Sequence, residues 1–278
     1  MSADLHIHTT ASDGSDSPEG VLLKAAAAGL DIAAITDHDT IDGAMSVTEV
    51  PAGLRFLRGI EFSCVFPGGK CHILGYGFDA ADPVFLSALE EGRRLRREKT
   101  EKRIAFLSER FGIVLTAEEL QWLRSRKSPG KPHFGQILVA RGLAPDISTA
   151  IQKFINPCRG GADRISAETA IRGIRHAGGV PIWAHPLGGE GEKRLSREAF
   201  DARLAYLMGC GIRGLECFYS RYDEADIAFL RKRAEENDLL ISGGSDYHGI
   251  NKKDIRLGQL RADGQVTDAN KLTVLRYL

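Results

Sequence analysis

Along the first 76 residues, short apolar runs alternate with stretches of helical character. Residues 5–8 read as a strand. Residues 31–36 read as a second, and their apolar run without a polar alternate marks a strand covered on both faces. Between them Ser17 supplies a helix N-cap, Pro18 the first turn and Gly29 the end. Residues 56–66 and 71–76 read as two strands joined by the turn cluster Pro67-Gly68-Gly69-Lys70.

The period then changes. Residues 83–110 form a long, charged helical stretch that stops at Gly112, and Thr116-Ala117-Glu118-Glu119 is a capping box for another helix. Two more helices are expected at 132–141 and 146–155, with no strand pattern in between. From Ser166 the alternation returns. A helix to Ala177 precedes a strand at 180–184, and further helices precede strands at 213–218 and 239–243. The chain therefore divides into β/α parts at 1–82 and 163–278 and an all-helical insertion at 83–162. The β/α parts hold about seven strands, which favours a barrel or near-barrel over a sandwich.

Composition sets limits on partners. With 278 residues and 43% hydrophobic content, the chain suffices for one large domain, or one with an insertion. Lys plus Arg and Asp plus Glu both number 37, so bulk attraction to nucleic acid or membrane is not indicated, and any contact with a polyanion must come from a local patch. Five cysteines at 64, 71, 158, 210 and 217 show no CxxC spacing and are expected to be reduced. No charged and apolar leader precedes the first motif, and no apolar run is long enough to span a membrane. A cytoplasmic location without an obligate protein partner is the expectation.

Histidine placement carries the chemistry. Of the 8 histidines, six are expected at or just past the C-terminal end of a strand, where β/α folds assemble their sites; His133 and His176 fall in helices and read as structural when taken singly. His6 and His8 are two apart on a strand, so both rings point to one side. Asp13, Asp37-His38-Asp39, Glu61, His72, His185 and Ser245-Asp246-Tyr247-His248 follow in order. Imidazole and carboxylate without thiolate suit Zn²⁺, Mn²⁺ or Fe²⁺ and argue against a structural thiolate zinc site. The donors outnumber what one ion needs, so two or three ions are expected, with Mn²⁺ as first choice.

The segments D-L-H-I-H-T-T-A-S-D-G, I-T-D-H-D-T, G-I-E-F-S, A-H-P and G-G-S-D-Y-H-G resemble the motifs of the PHP family, named for polymerases and histidinol phosphatases. The likeness covers the β/α parts in order and the helical segment more weakly. It implies a distorted (β/α)7 barrel of PHP type and a metal-dependent phosphoesterase. It also implies a ligand set: His6, His8, Glu61 and Asp246 for one ion; Glu61 again, with His72 and His185, for a second; Asp13, His38 and His248 for a third. Ions so held would lower the pKa of water and offset charge on a phosphoryl group, with Asp246 or His185 shuttling a proton.

Within the family the chain is most similar to the bacterial branch acting on nucleoside 3′,5′-bisphosphates and short 5′-phosphorylated RNA. That branch carries a helical insertion with an element like Gly130-Lys131-Pro132-His133. Lys131, His133 and Arg159 are the expected phosphate contacts, and Ser12 and Asp37 lie next to ligands as further candidates. The run Arg93-Arg94-Leu95-Arg96-Arg97 reads as solvated surface paired with Glu90, Glu91 and Glu98. The expected activity is removal of the 3′-phosphate from a nucleoside 3′,5′-bisphosphate. A histidinol phosphatase, a non-catalytic metal-stabilised module and a related amide hydrolase are the rival readings.

Overall fold

A computed structural model describes residues 1–158, 164–189 and 194–278. Its centre is a sheet in the order β1 (Ala3–Ile7), β2 (Ile32–Ile35), β3 (Arg55–Phe66), β4 (Gly69–Tyr76), β6 (Val180–Ala184), β7 (Gly214–Tyr219) and β8 (Leu240–Gly244). The short strand β5 (Ile165–Ser166) lies off this path and pairs with the end of β3. Strands β1, β2 and β3 are parallel, as are β6, β7 and β8, whereas β4 runs antiparallel to both of its neighbours. The expected strands are all present within a residue or two of their bounds; β5 was not foreseen, because two residues carry no period.

The ends of the sheet meet. Asp246 N–H donates to His6 O at 2.9 Å and His8 N–H to Tyr247 O at 2.9 Å, which brings β1 against the chain leaving β8. Gly244 permits this closeness, since a Cβ there would lie 2.2 Å from His6 Cβ and 2.5 Å from its backbone nitrogen. The result is a nearly closed, distorted barrel.

Helices α1 (Pro18–Ala27), α7 (Ala167–His176), α8 (Arg197–Cys210) and α9 (Glu224–Glu236) alternate with the strands. Ser17 caps α1 by accepting from Gly20 N–H at 3.0 Å, and Ser166 caps α7 in the same way through Thr169 N–H. The short α2 (Asp42–Ser46) was not expected. Apolar residues of α7, α8 and α9, among them Ile171, Phe200 and Ile227, join Ile182, Trp183 and Leu215 of the strands in the main core.

Between β4 and β5 the elements among the described residues are all helical: α3 (Pro83–Phe111), α4 (Ala117–Ser125), α5 (Lys131–Ala140), α6 (Ile147–Ala150) and a π-turn over Ile151–Ile155. The helix expected at 146–155 is α-helical over Ile147–Ala150 and widens after that turn, and Ile147, Ser148, Ile151 and Gln152 of this stretch lie on the wall of the central cleft. Leu107, Leu123, Phe134 and Phe154 form a separate apolar cluster in this segment. Phe85, Ala88 and Leu89, in the first turns of α3, pack into the main core. One long helix therefore ties the two parts, with Asp82 as its N-cap and Gly112, in left-handed conformation, as its end.

Two glycines separate close approach from open space. Gly244→Ala should lower unfolding free energy by about 1–3 kcal/mol, because the added carbon meets backbone that cannot yield. Gly209→Ala, at an exposed site in α8 with nothing within 4 Å of an added carbon, should raise it by about 0.5–1 kcal/mol through helix propensity. Denaturant unfolding followed by circular dichroism measures both; equal effects would contradict the seam.

Candidate metal centre

At one mouth of the barrel nine side chains converge: His6 and His8 of β1, Asp13, His38, Glu61 of β3, His72 of β4, His185, Asp246 and His248. His72 lies near the start of β4, as its place in a strand at 71–76 implies, and so departs from the expectation of six histidines at C-terminal strand ends; it reaches the common mouth because β4 is antiparallel, with His72 opposite Ser63 and Ala184.

Their spacing is that of ligands around shared points. His6 Nε2 and His8 Nε2 are 3.1 Å apart, and Glu61 Oε2 lies 3.3 and 3.2 Å from them. Asp246 Oδ1 completes this set at 3.7 Å from His6 Nε2 and 3.3 Å from His8 Nε2. A tetrahedral ion with bonds of about 2.0–2.1 Å would hold its donors about 3.3 Å apart. A second set joins Glu61 Oε1 to His72 Nδ1 at 2.9 Å and to His185 Nε2 at 3.2 Å, with the two ring nitrogens 3.2 Å apart. Asp13, His38 and His248 gather as the third, with His8 beside them. His38 also comes within 2.9 Å of Glu61 Oε2.

Three buried atoms here have no hydrogen-bond partner: Asp13 Oδ1, His38 Nδ1 and Glu61 Oε2. Leaving such atoms unsatisfied is costly, on the order of 1–3 kcal/mol each. Close approach of donor atoms without hydrogen-bond alignment fits a divalent cation, so the residues present fit two or three ions.

Neighbours set how these groups face. His248 Nδ1 lies 2.8 Å from the carbonyl oxygen of Asp246, which can only accept, so Nδ1 carries the proton and Nε2 faces Asp13 at 3.3 Å. Asp246 Oδ2 accepts from Tyr219 Oη at 3.0 Å and Lys252 Nζ at 2.6 Å, leaving Oδ1 for the histidines. Burial opposes charge on Asp246, but Lys252, His248 and His6 hold its carboxyl well below the usual carboxylate range. Burial opposes charge on Glu61 as well, and His38, His6 and His72 outweigh it in the same direction. His185 and Asp246 have backbone φ of 29° and 59°, a left-handed conformation that non-glycine residues rarely adopt.

The other expected site residues fall in different places. Ser12 donates to Asp37 Oδ1 at 2.5 Å, and Asp37 also accepts from the Thr9 backbone and hydroxyl, so this pair fastens the loop that carries Asp13. His133 is buried against Trp122, and its Nδ1 accepts from Gly130 N–H at 2.9 Å, capping its own helix. Neither it nor Ser12 nor Asp37 lines the cleft. Lys131 does, with Nζ 2.7 Å from Asn156 Oδ1. Arg159 lies outside the described residues. His176 is a surface partner of Asp82 at 2.7 Å.

A cleft of about 640 Å³ opens above the cluster, and its walls are basic: Arg96, Lys99, Arg103, Lys131, Arg164 and Lys252. The arginine run on α3 is thus not all surface. Arg94 and Arg97 pair with Glu98 and Glu90 in solvent, while Arg96 turns inward to Asp39 and Ser63, and Arg93 to Asp42. Arg164 donates to His72 Nε2 at 2.8 Å. Sequence reasoning gave no role to Arg164, Lys252, Tyr219 or Glu216. Only Glu216 left a trace, as a carboxylate inside the apolar run Gly214-Leu215-Glu216-Cys217-Phe218-Tyr219.

Two expected outcomes follow for the metal-free chain. Burial opposes charge on His8, but Asp246 and Glu61 raise its pKa to about 9, so it holds a proton at neutral pH that a cation must displace. Affinity for Mn²⁺ should therefore rise with pH toward about 9 and level off above it. Calorimetry at pH 7 in buffers of different ionisation enthalpy should detect at least one proton released; buffer-independent heats would contradict this. Glu61→Ala should lose bound metal and activity together, whereas His133→Ala should keep its metal by elemental analysis.

The profile of the PHP domain matches residues 4–119. A 3′,5′-nucleoside bisphosphate phosphatase of Chromobacterium violaceum is 30% identical over 251 residues, 88% of this chain and 86% of that protein. A 5′-3′ exoribonuclease of Haemophilus influenzae is 32% identical over 253 residues, 88% of this chain and 89% of that protein. A solved structure from Bifidobacterium adolescentis, assigned as a metal-dependent phosphoesterase, superposes with TM-score 0.81 at 29% identity, covering 94% of this chain and 93% of that one. By sequence, fold and the groups gathered at the barrel mouth, the chain belongs to the PHP-domain family of metal-dependent phosphoesterases.

Proposed function

We propose that the protein removes the 3′-phosphate from nucleoside 3′,5′-bisphosphates, giving a 5′-nucleotide and inorganic phosphate, and that short 5′-phosphorylated RNA is a related substrate. The observation that carries this reading is the pairing of a carboxylate and imidazole floor with a basic wall across one cleft. The floor would take cations and, through them, the phosphate being cleaved. The wall offers charge to a second phosphate. A nucleoside bisphosphate carries two such groups on one ribose; one relative is a 3′,5′-nucleoside bisphosphate phosphatase and another a 5′-3′ exoribonuclease.

In this reading His6, His8, Glu61 and Asp246 hold one ion, Glu61, His72 and His185 a second, and Asp13, His38 and His248 a third. Bound ions supply positive charge to the phosphoryl oxygens and to the attacking oxygen. Glu61 would set the spacing of the first two sets, since Oε2 faces His6 and His8 and Oε1 faces His72 and His185. Asp246, with Tyr219 and Lys252 on its outer oxygen, keeps its inner oxygen aimed at the cluster, and it or His185 moves a proton during turnover. The segment 83–162 contributes recognition through Arg96, Lys99, Arg103 and Lys131, and anchoring the remote phosphate orients the 3′-ester. Nitrogen and oxygen donors without thiolate favour Mn²⁺, and Zn²⁺ and Fe²⁺ share that preference. The described cysteines are free thiols and no described helix is long and apolar enough to cross a membrane, which supports a cytoplasmic enzyme.

With Mn²⁺, adenosine 3′,5′-bisphosphate should yield 5′-AMP and phosphate, with kcat/KM at least about a hundredfold above that for 3′-AMP. Two lost charged contacts at about 1.5–3 kcal/mol each account for that ratio or more. Chromatography of the product decides the matter: 3′-AMP as product, or equal efficiency on 3′-AMP and histidinol phosphate, would contradict the assignment. Lys131→Ala should cost about tenfold on the bisphosphate and less on an aryl phosphate, which has no second phosphate to hold; equal losses would mean that Lys131 acts through folding.

A further inference from the structure

Glu216 is not among the nine converging side chains, yet it is wholly buried and touches two of those residues. Its Oε1 lies 2.9 Å from His6 Nδ1, and its Oε2 accepts from the His185 backbone N–H at 2.7 Å. His6 belongs to the set that includes His8 and Asp246, and His185 to the set that includes His72. The two rings lie nearly parallel, with centroids 6.0 Å apart. One carboxylate thus spans both.

Each contact has a chemical consequence. An ionised carboxylate only accepts, so His6 must carry its proton on Nδ1. In the neutral ring the Nε2 lone pair is then left toward Glu61 and His8, the direction in which a cation would sit. At His185 the bonded peptide is the one with φ of 29°, so Glu216 restrains a backbone conformation that the residue would not hold by itself.

The strand is built to allow this. Glu216 pairs with Ser242 and Phe218 with Gly243, leaving Cys217 as the extra residue of a bulge. Glu216 and Tyr219 are three apart, and strict alternation would send them to opposite faces. Across the bulge both reach the site, Glu216 under His6 and His185 and Tyr219 onto Asp246.

We propose that Glu216 is a positioning residue that fixes the cation-binding tautomer of His6 and the backbone of His185 together, so that one side chain sets the affinity of two metal positions. The proposal rests on the cation reading of the site. Glutamine at 216 would keep the shape but offer one acceptor and one donor. Either the His185 N–H loses its acceptor, or an amide N–H faces His6 Nδ1 and drives the ring proton to Nε2.

The test uses equilibrium dialysis of the full chain against Mn²⁺ and, with Zn²⁺ in its place, ¹H–¹⁵N spectra of the histidine rings. Glu216→Gln should bind Mn²⁺ about 10–100-fold more weakly, with circular dichroism unchanged; the solvent-protected Nδ1–H resonance that wild type shows for His6 is lost where the amide N–H faces the ring and kept where the His185 N–H loses its acceptor. Glu216→Asp, which keeps an acceptor-only group, should bind more tightly than the glutamine variant, and it decides the matter should glutamine impair folding. Wild-type affinity in the glutamine variant with the Nδ1–H resonance retained would overturn the positioning role alone. Failure of wild type to take up Mn²⁺ would overturn the cation reading, and this proposal with it.

Discussion

The carboxylate of Glu61 is the constraint on which the rest depends. It is fully buried, and five imidazoles, those of His6, His8, His38, His72 and His185, come within 3.3 Å of its oxygens. These rings come from strands or strand ends spread around the sheet, so no local segment could assemble them. An arrangement of this kind without a counter-charge is expensive: the rings compete for one carboxylate, and several polar atoms are left without hydrogen bonds. Bound cations would resolve the conflict. The apolar barrel beneath, with Leu5, Ile60, Phe62 and Ile182 fully buried, supplies the rigidity that holds the donors apart.

Several departures from regular barrel geometry serve that cluster. Antiparallel β4 delivers His72 from the start of a strand. The bulge in β7 turns both Glu216 and Tyr219 inward. The seam at Gly244 draws His6 against the chain that carries Asp246. Left-handed backbone at His185 and Asp246 aims their side chains, and hydrogen bonds from the neighbours hold both peptides in place. Strain thus occurs where the chemistry is, at His185 and Asp246, while the outer helices keep ordinary N-caps.

Much of this was legible in the sequence because the relevant properties are local. Period and punctuation placed the strands and long helices, and the His-x-His pair with the later histidine and carboxylate motifs pointed to one mouth. What escaped reading depends on contacts between distant segments. Lys252 lies in the unremarkable run Asn251-Lys252-Lys253 and gains meaning only 2.6 Å from Asp246. Arg96 and Arg94 look alike along α3, and only tertiary packing turns the first to Asp39 and leaves the second in solvent. His133 was expected at the substrate, and its hydrogen bond goes instead to the turn that opens its own helix, whereas Ser12 and Asp37, candidates by their place next to ligands, bond to each other, Ser12 also to His8 and Asp37 to Thr9. Adjacency along the chain does not tell a support from a contact.

The most direct measurement is anomalous diffraction from crystals grown with Mn²⁺. Two strong peaks should lie on either side of Glu61, one among His6, His8 and Asp246 and the other between His72 and His185, with a third near Asp13, His38 and His248 at higher occupancy of the ion. A single peak, or peaks at which Glu61 is not a shared ligand, would contradict the account.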